Sequence, residues 1–291
     1  MPVPLVENAP AKVNLTLRVV KRRADGYHEI ESLVAFADFG DRLSFAPGGE
    51  LTLNVRGPAA VQAGAGDDNL VLKAVRALAA LRRGLVLGAF DLDKRLPVAA
   101  GLGGGSADAG AALRLIAQVN GLPRGDPQLY AAARVTGADV PVCLDPRPRI
   151  MRGIGELLSE PLALPPLPAV LVNPGVALPT KAVFAQWKPA AKPAAALDPA
   201  LANLASRDRL LQFFAAQSND LEGPAIALAP VIADVLAALR AQAGCLFARM
   251  SGSGATCFAI FSSADEAVAA EKLLPAEQPA WWVKATTLGG G

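Results

Sequence analysis

Four glycines, Gly101, Gly103, Gly104 and Gly105, stand between a strand-like run, Phe90 to Leu96, and a segment with helical spacing that opens at Ser106. No other feature narrows the fold as far. Glycine lets the backbone turn tightly and approach a ligand closely. The N–H groups and dipole of a helix start favour an anion. The order strand, glycine loop, helix therefore predicts a phosphate-holding loop made of Pro97, Val98, Ala99, Ala100, Gly101, Leu102, Gly103, Gly104, Gly105, Ser106 and Ala107. A flexible glycine turn is the other reading of the run taken alone. No Gly-Lys-Ser/Thr follows, so this is no Walker A loop, and Ser106 stands where a dinucleotide fingerprint has its third glycine.

Other nucleotide and hydrolase chemistries lack their residues. Asp38-Phe39-Gly40 spells a protein-kinase tripeptide, but the single histidine, His28, precedes Glu29 and forms no His-Arg-Asp loop. The tripeptide reads as a strand-end turn. His28 also heads no His-Glu-x-x-His motif and no hydrolase elbow. Cys143, Cys245 and Cys257 are odd in number and widely spaced, which predicts buried free thiols, neither a disulfide framework nor zinc. The 28 basic and 26 acidic residues leave a net charge of +2, too small to make nucleic acid or an anionic membrane the main partner. No apolar run predicts an export signal or a membrane span, so a cytoplasmic location is expected.

The 291 residues are 52% hydrophobic, enough for two cores. Lys12 to Val19 alternates, with Val13, Leu15, Leu17 and Val19 opposite Lys12, Asn14, Thr16 and Arg18, which predicts a half-buried strand. Further strands are expected at Ile30 to Ala37, Leu43 to Phe45, Leu51 to Val55 and Phe90 to Leu96. Asp67, Asp68 and Asn69 offer caps for a helix to about Arg83. The proline cluster from Pro161 to Pro168 sets the expected boundary between domains 1–160 and 161–291. Beyond it the expected order is a strand at Val170 to Asn173, a helix from Pro230 to Gln242, paired strands at Phe247 to Met250 and Thr256 to Phe261, a helix from Ala264, and a strand from Trp281. That order is ferredoxin-like, a split β-α-β layer. Lys188 to Ala200 reads as a low-complexity surface excursion.

Three segments resemble the GHMP kinase family: Ala9-Pro10-Ala11-Lys12-Val13-Asn14-Leu15, the loop from Pro97 to Ala107, and Ser251-Gly252-Ser253-Gly254-Ala255. Arg23-Ala24-Asp25-Gly26-Tyr27-His28-Glu29-Ile30 and Gly137-Ala138-Asp139-Val140-Pro141-Val142 resemble the branch of that family whose substrate is a cytidyl diphosphate. The resemblance implies a two-domain α+β / α/β fold. Its N-terminal layer would be like domain 2 of ribosomal protein S5 and its C-terminal layer ferredoxin-like, with the active site in the cleft between them. It implies ATP as co-substrate with Mg2+, a small-molecule cytidyl diphosphate substrate, and phosphorylation of its 2-hydroxyl in non-mevalonate isoprenoid biosynthesis. Matching positions make Asp139 the general base and Lys12 its cationic partner, with Asn14, Tyr27, His28 and Phe184 around the substrate.

Each of these residues has a plainer reading. Lys12 alone would be an exposed strand lysine, Asp139 a helix cap, Tyr27-His28 a turn, Phe184 core, and Ser251 to Ala255 a tight hairpin. Asn219, Asp220 and Glu222 are expected to cap and fix the helix that follows. Asp108 stands against an anion site, since its carboxylate would repel phosphate unless magnesium or an inward-facing cation met it or the side chain pointed back into the helix. No metal ligand is named by the sequence, nor any oligomeric state. A mevalonate- or homoserine-type kinase, a non-catalytic ligand sensor on the same fold and an RNA-binding module remain as alternatives.

Overall fold

The computed structural model describes residues 4–189, 197 and 206–290. In chain order the elements are β1 (Leu5–Asn14), β2 (Arg18–Arg22), β3 (His28–Pro47), β4 (Thr52–Arg56), α1 (Ala60–Ala63), α2 (Leu70–Leu81), β5 (Gly88–Asp93), α3 (Gly104–Val119), α4 (Pro127–Thr136), α5 (Val140–Cys143), β6 (Arg149–Gly153), β7 (Leu157–Leu158), β8 (Leu167–Asn173), α6 (Thr180–Gln186), α7 (Arg207–Ala216), α8 (Glu222–Leu228), α9 (Val231–Ala241), β9 (Cys245–Met250), β10 (Cys257–Phe261), α10 (Ala264–Glu277) and β11 (Trp282–Leu288). They divide into two compact units. The first takes the chain up to Lys12, Gly40–Val98 and Gly103–Pro146; the second takes Val13–Phe39, Ala99–Leu102 and the chain from Arg147 on. The units interleave along the sequence, unlike the single cut expected between 160 and 161. Proline clusters mark where a chain turns, and compactness follows contacts between distant segments, which proline spacing does not encode.

In the first unit β4 pairs parallel to β5, and β5 runs antiparallel to the second half of β3, Arg42 to Pro47. Phe45 and Phe90 face each other across that pairing with ring centroids 4.6 Å apart, both almost fully buried. Truncating either to Ala is expected to cost about 3–5 kcal/mol. Helix α2 starts at the expected place, where the Asn69 side chain accepts from the Val71 N–H, and it buries Val71, Leu72, Val75 and Leu78 at helical spacing. It packs on α3 and α4. Helix α3 opens at Gly104, two residues before the expected Ser106, because Gly103 at φ 60° makes the turn that a capping side chain would otherwise make.

The second unit contains β8, α9, β9, β10, α10 and β11 in that chain order, with sheet order β11-β8-β10-β9 and every neighbour antiparallel. This is the ferredoxin-like layer read from the sequence. Its core includes Val170, Val172, Ile232, Leu236, Cys257 and Phe261. Among the described residues no single helix is long and apolar enough to cross a membrane.

Three local expectations change, and a fourth falls mostly outside the described residues. The stretch Lys12 to Val19 is not one half-buried strand: β1 ends at Asn14, β2 begins at Arg18, and Lys12, Asn14 and Thr16 are as buried as their apolar neighbours. Their polar groups are satisfied from within, since Asn14 donates to Ser32 Oγ at 2.7 Å and Thr16 Oγ1 accepts from the Leu33 N–H at 3.1 Å. Asp38-Phe39-Gly40 is no turn but the middle of β3. A Cβ at Gly40 would fall 2.1 Å from the Ala9 carbonyl oxygen, so this glycine serves close strand approach. Cys143 and Cys257 are buried, while Cys245 is only partly so. The segment Lys188 to Ala200 lies outside the described residues except for 188, 189 and Leu197; Leu197 is buried, and its N–H donates to Glu31 at 2.7 Å.

Candidate active site

Lys12 is no exposed strand lysine. Its side chain is 4% accessible and its ammonium lies 3.0 Å from the Asp139 carboxylate, which is 37% accessible. Asp139 sits at the N-cap of α5 yet makes no side-chain capping bond, so its carboxylate is spent on Lys12 and on solvent. A buried cation thus holds one side of a carboxylate whose other side is open. The stem of Lys12 also lies under the glycine loop: a Cβ at Gly103 would come 3.1 Å from its Cε.

A second lysine supports the next residue of that loop. Lys94, just after β5, is 3% exposed and donates to Asp41 at 2.5 Å and to Asp108 at 2.6 Å. The other Asp41 oxygen accepts from the N–H groups of Arg95 and Leu96. A Cβ at Gly104 would stand 3.1 Å from the Lys94 ammonium. Asp108, the residue that stood against an anion site, meets an inward-facing cation beneath the loop. Burial, only partly offset by Lys94, pushes its carboxyl up to about 8. Burial opposes the charge on Lys94, and the two carboxylates outweigh it, so the ammonium titrates above its ordinary range. Neither Lys94 nor Asp41 was singled out from sequence. The one available signal was a lysine next to Asp91 and Asp93 just before the loop.

The middle of the loop, Ala99 to Leu102, belongs to the second unit. There the buried Ser251 hydroxyl accepts from the Asn14 N–H at 3.0 Å and donates to the Gly101 carbonyl at 2.9 Å. The Thr256 N–H donates to the Ala100 carbonyl at 3.1 Å. One hydroxyl therefore ties together three distant segments, with Ser251 bonded to residues 150 and 237 positions away in sequence. Gly101, at φ 77°, has no room for a Cβ, which would meet the Ser251 backbone carbonyl oxygen at 2.5 Å. Ala99 takes a left-handed φ of 53°, rare for a residue with a side chain. The Ser251 turn is a hairpin, closed by the Ser251 N–H on the Thr256 oxygen at 2.9 Å. Asn219 holds it from outside, donating to the carbonyls of Met250 and Gly252 at 2.8 Å each, and Glu222 accepts from the Met250 N–H. These two residues brace the loop, where the sequence suggested a helix cap: Asn219 accepts from the Leu221 N–H just before α8, but α8 has no side-chain capping bond.

His28 and Phe184 stack at 4.8 Å between centroids with planes 28° apart. Trp187, three residues beyond Phe184, closes the edge of His28 at 5.7 Å and 83°; it was not anticipated, although the spacing puts it on the same helical face. Partial burial, then Arg22, lowers the His28 pKa, so the ring is neutral at pH 7 and offers one donor and one acceptor. Tyr27 is 60% exposed and, among the described residues, joins no ring of this stack.

Family models for the GHMP kinases match this chain twice, the N-terminal domain over residues 69–145 and the C-terminal one over residues 199–278. A 4-diphosphocytidyl-2-C-methyl-D-erythritol kinase of Methylobacterium radiotolerans is 58% identical over 98% of this chain and 99% of its own. The chain belongs to the GHMP kinase family. Another relative of the same name, from Xanthobacter autotrophicus, is 54% identical over 96% of this chain and 97% of its own. Among solved structures, this GHMP kinase is similar to a 4-(cytidine 5'-diphospho)-2C-methyl-D-erythritol kinase, with TM-score 0.79, 38% identity, and coverage of 99% of this chain and 100% of that one. A homoserine kinase from Cytophaga hutchinsonii shares the fold at TM-score 0.74 with 20% identity, over 99% of this chain and 96% of that one.

Proposed function

We propose that this GHMP kinase transfers the γ-phosphoryl group of ATP to the 2-hydroxyl of 4-diphosphocytidyl-2-C-methyl-D-erythritol, giving the 2-phosphate and ADP in the non-mevalonate route to isoprenoid precursors. The Lys12–Asp139 contact carries the reading, in a chain 58% identical to a protein of that name. Phosphoryl transfer asks the protein mainly for positioning and charge stabilisation. Asp139 takes the proton from the attacking hydroxyl, the hydroxyl oxygen bonds to the γ-phosphorus, and the bond to the ADP oxygen breaks. Lys12 aims the carboxylate and offsets the negative charge growing on the attacking oxygen. The loop from Pro97 to Ala107 holds the phosphates through backbone N–H groups and the start of α3. Tyr27, His28 and Phe184 receive the cytidyl end, where a neutral His28 on an aromatic platform suits a flat, uncharged base, and Asn14 lines the substrate site beside Lys12.

Magnesium, bound with the nucleotide, supplies charge neutralisation at the phosphates. Among the described residues no group of three His, Cys, Asp or Glu side chains is placed to hold a metal, and Asp108 is committed to Lys94. The donor set thus fits a cation carried chiefly by the nucleotide. A reducing cytoplasm suits the three free thiols.

The test is ADP production with Mg-ATP and a panel of the cytidyl substrate, mevalonate, homoserine and galactose. Turnover confined to the cytidyl compound is expected. Turnover with another alcohol keeps the family and overturns the base pocket; nucleotide binding without turnover on any of them moves a ligand sensor to the front.

A further inference from the structure

Resting on the kinase reading, we propose that Lys94 is a positioning residue for the nucleotide: through Asp41 and Asp108 it holds the first turn of α3 and sets the charge beneath the phosphate loop. Three observations meet here. The Lys94 ammonium lies directly under Gly104, the first residue of α3, where even a methyl group would press on it. It is the single cation against two carboxylates, all three groups being buried. One oxygen of Asp108, Oδ1, is buried with no hydrogen-bond partner among the described residues, which is where a bound proton would sit.

The charged groups around Asp108 are otherwise engaged. Arg95 turns to Asp93, Arg56 to Asp91 and, farther off, to Asp93, Arg114 pairs with Glu7, Lys12 pairs with Asp139, and burial keeps the Cys143 thiol protonated. With a proton on Asp108 the cluster is neutral. Without it, one net negative charge lies under the turn that is to receive polyphosphate, with little water to screen it. The cluster therefore ties nucleotide affinity to one proton and leaves the alcohol substrate untouched. Burial raises the Asp108 carboxyl to about 8, which puts the transition within reach of experiment.

The measurement is calorimetric binding of the magnesium complex of a non-hydrolysable ATP analogue to the full chain from pH 7 to pH 9. Wild type and Asp108→Asn are compared, so that ionisation of the analogue itself cancels. Wild-type affinity is expected to fall about threefold or more relative to the variant across that range. At pH 7.5, Lys94→Met is expected to weaken binding about tenfold or more, with recovery when Asp41→Asn is added, since Asp108 without Lys94 keeps its proton and the uncompensated charge is on Asp41. The KM for the cytidyl substrate should stay within about twofold in Asp108→Asn, a selectivity that a merely structural role would not produce. Superimposable pH profiles for wild type and Asp108→Asn overturn the inference, even if Lys94→Met does not fold. Failure of wild type to bind the analogue overturns the kinase reading with it, and is told apart because it needs no variant.

Discussion

Two buried lysines lie under successive glycines of one loop, Lys12 at Gly103 and Lys94 at Gly104, and each meets carboxylate at hydrogen-bond distance. They differ in what surrounds the partner. Asp139 is 37% accessible, whereas Asp41 and Asp108 are 0% and 4% accessible. An open carboxylate keeps hydration and can exchange a proton with a substrate. Sealed carboxylates lose hydration and depend on the cation. The same ion pair is thus suited to chemistry at one glycine and to architecture at the next.

Asp139→Asn is the sharpest test of the open pair. It removes the proton acceptor while keeping size and shape, and kcat is expected to fall about 10²–10⁴-fold with little change in melting temperature. A comparable loss of turnover in Asp108→Asn would erase the distinction between the pairs. For the sealed pair, Lys94→Met leaves the Asp41 carboxylate buried without its cation beside a protonated Asp108 and is expected to cost about 3–5 kcal/mol in denaturant unfolding. Lys12→Met should cost clearly less, because water reaches Asp139. Equal losses would mean that exposure of the partner does not matter.

Acidity gives a smaller and more specific signal. Asp108 binds its proton more tightly folded than unfolded, so from about pH 4 to about 8 the unfolded chain gives up that proton while the folded one keeps it. Its contribution to stability is full at the acid end and is lost as pH rises to about 8. Asp108→Asn is therefore expected to raise the melting temperature by several degrees at pH 8 and by little at pH 4. The smallest effect is steric. Gly104→Ala presses a methyl group on an ammonium with no room to retreat and is expected to cost about 1–3 kcal/mol. Gly105→Ala, which meets the end of Leu70 at 3.3 Å, should cost less.

Much of this could be read along the chain. The Asn69 cap, the spacing of α2 and the β8-α9-β9-β10-α10-β11 order are local patterns, and local patterns survive in a one-dimensional record. Lys12, Asp139, His28 and Phe184 were named from motif likeness, and the fold puts the first two in contact and the last two in a stack. Lys94 and Trp187 were passed over, since a lysine among aspartates reads as solvated charge and a tryptophan near a proline-rich stretch reads as core. Asp38 to Gly40 was misread because turn composition and a close strand crossing both call for glycine.

Sequence by itself therefore determined the α2 helix, the ferredoxin-like order and the glycine turn ahead of α3, because periodicity and glycine placement act over a few residues. Only the tertiary structure decided which carboxylate is open and which is sealed, that Asp108 turns inward, and that one Ser251 hydroxyl joins Asn14 to Gly101. Burial and dielectric arise when distant segments pack, and they, more than residue type, set whether a charge reacts or supports.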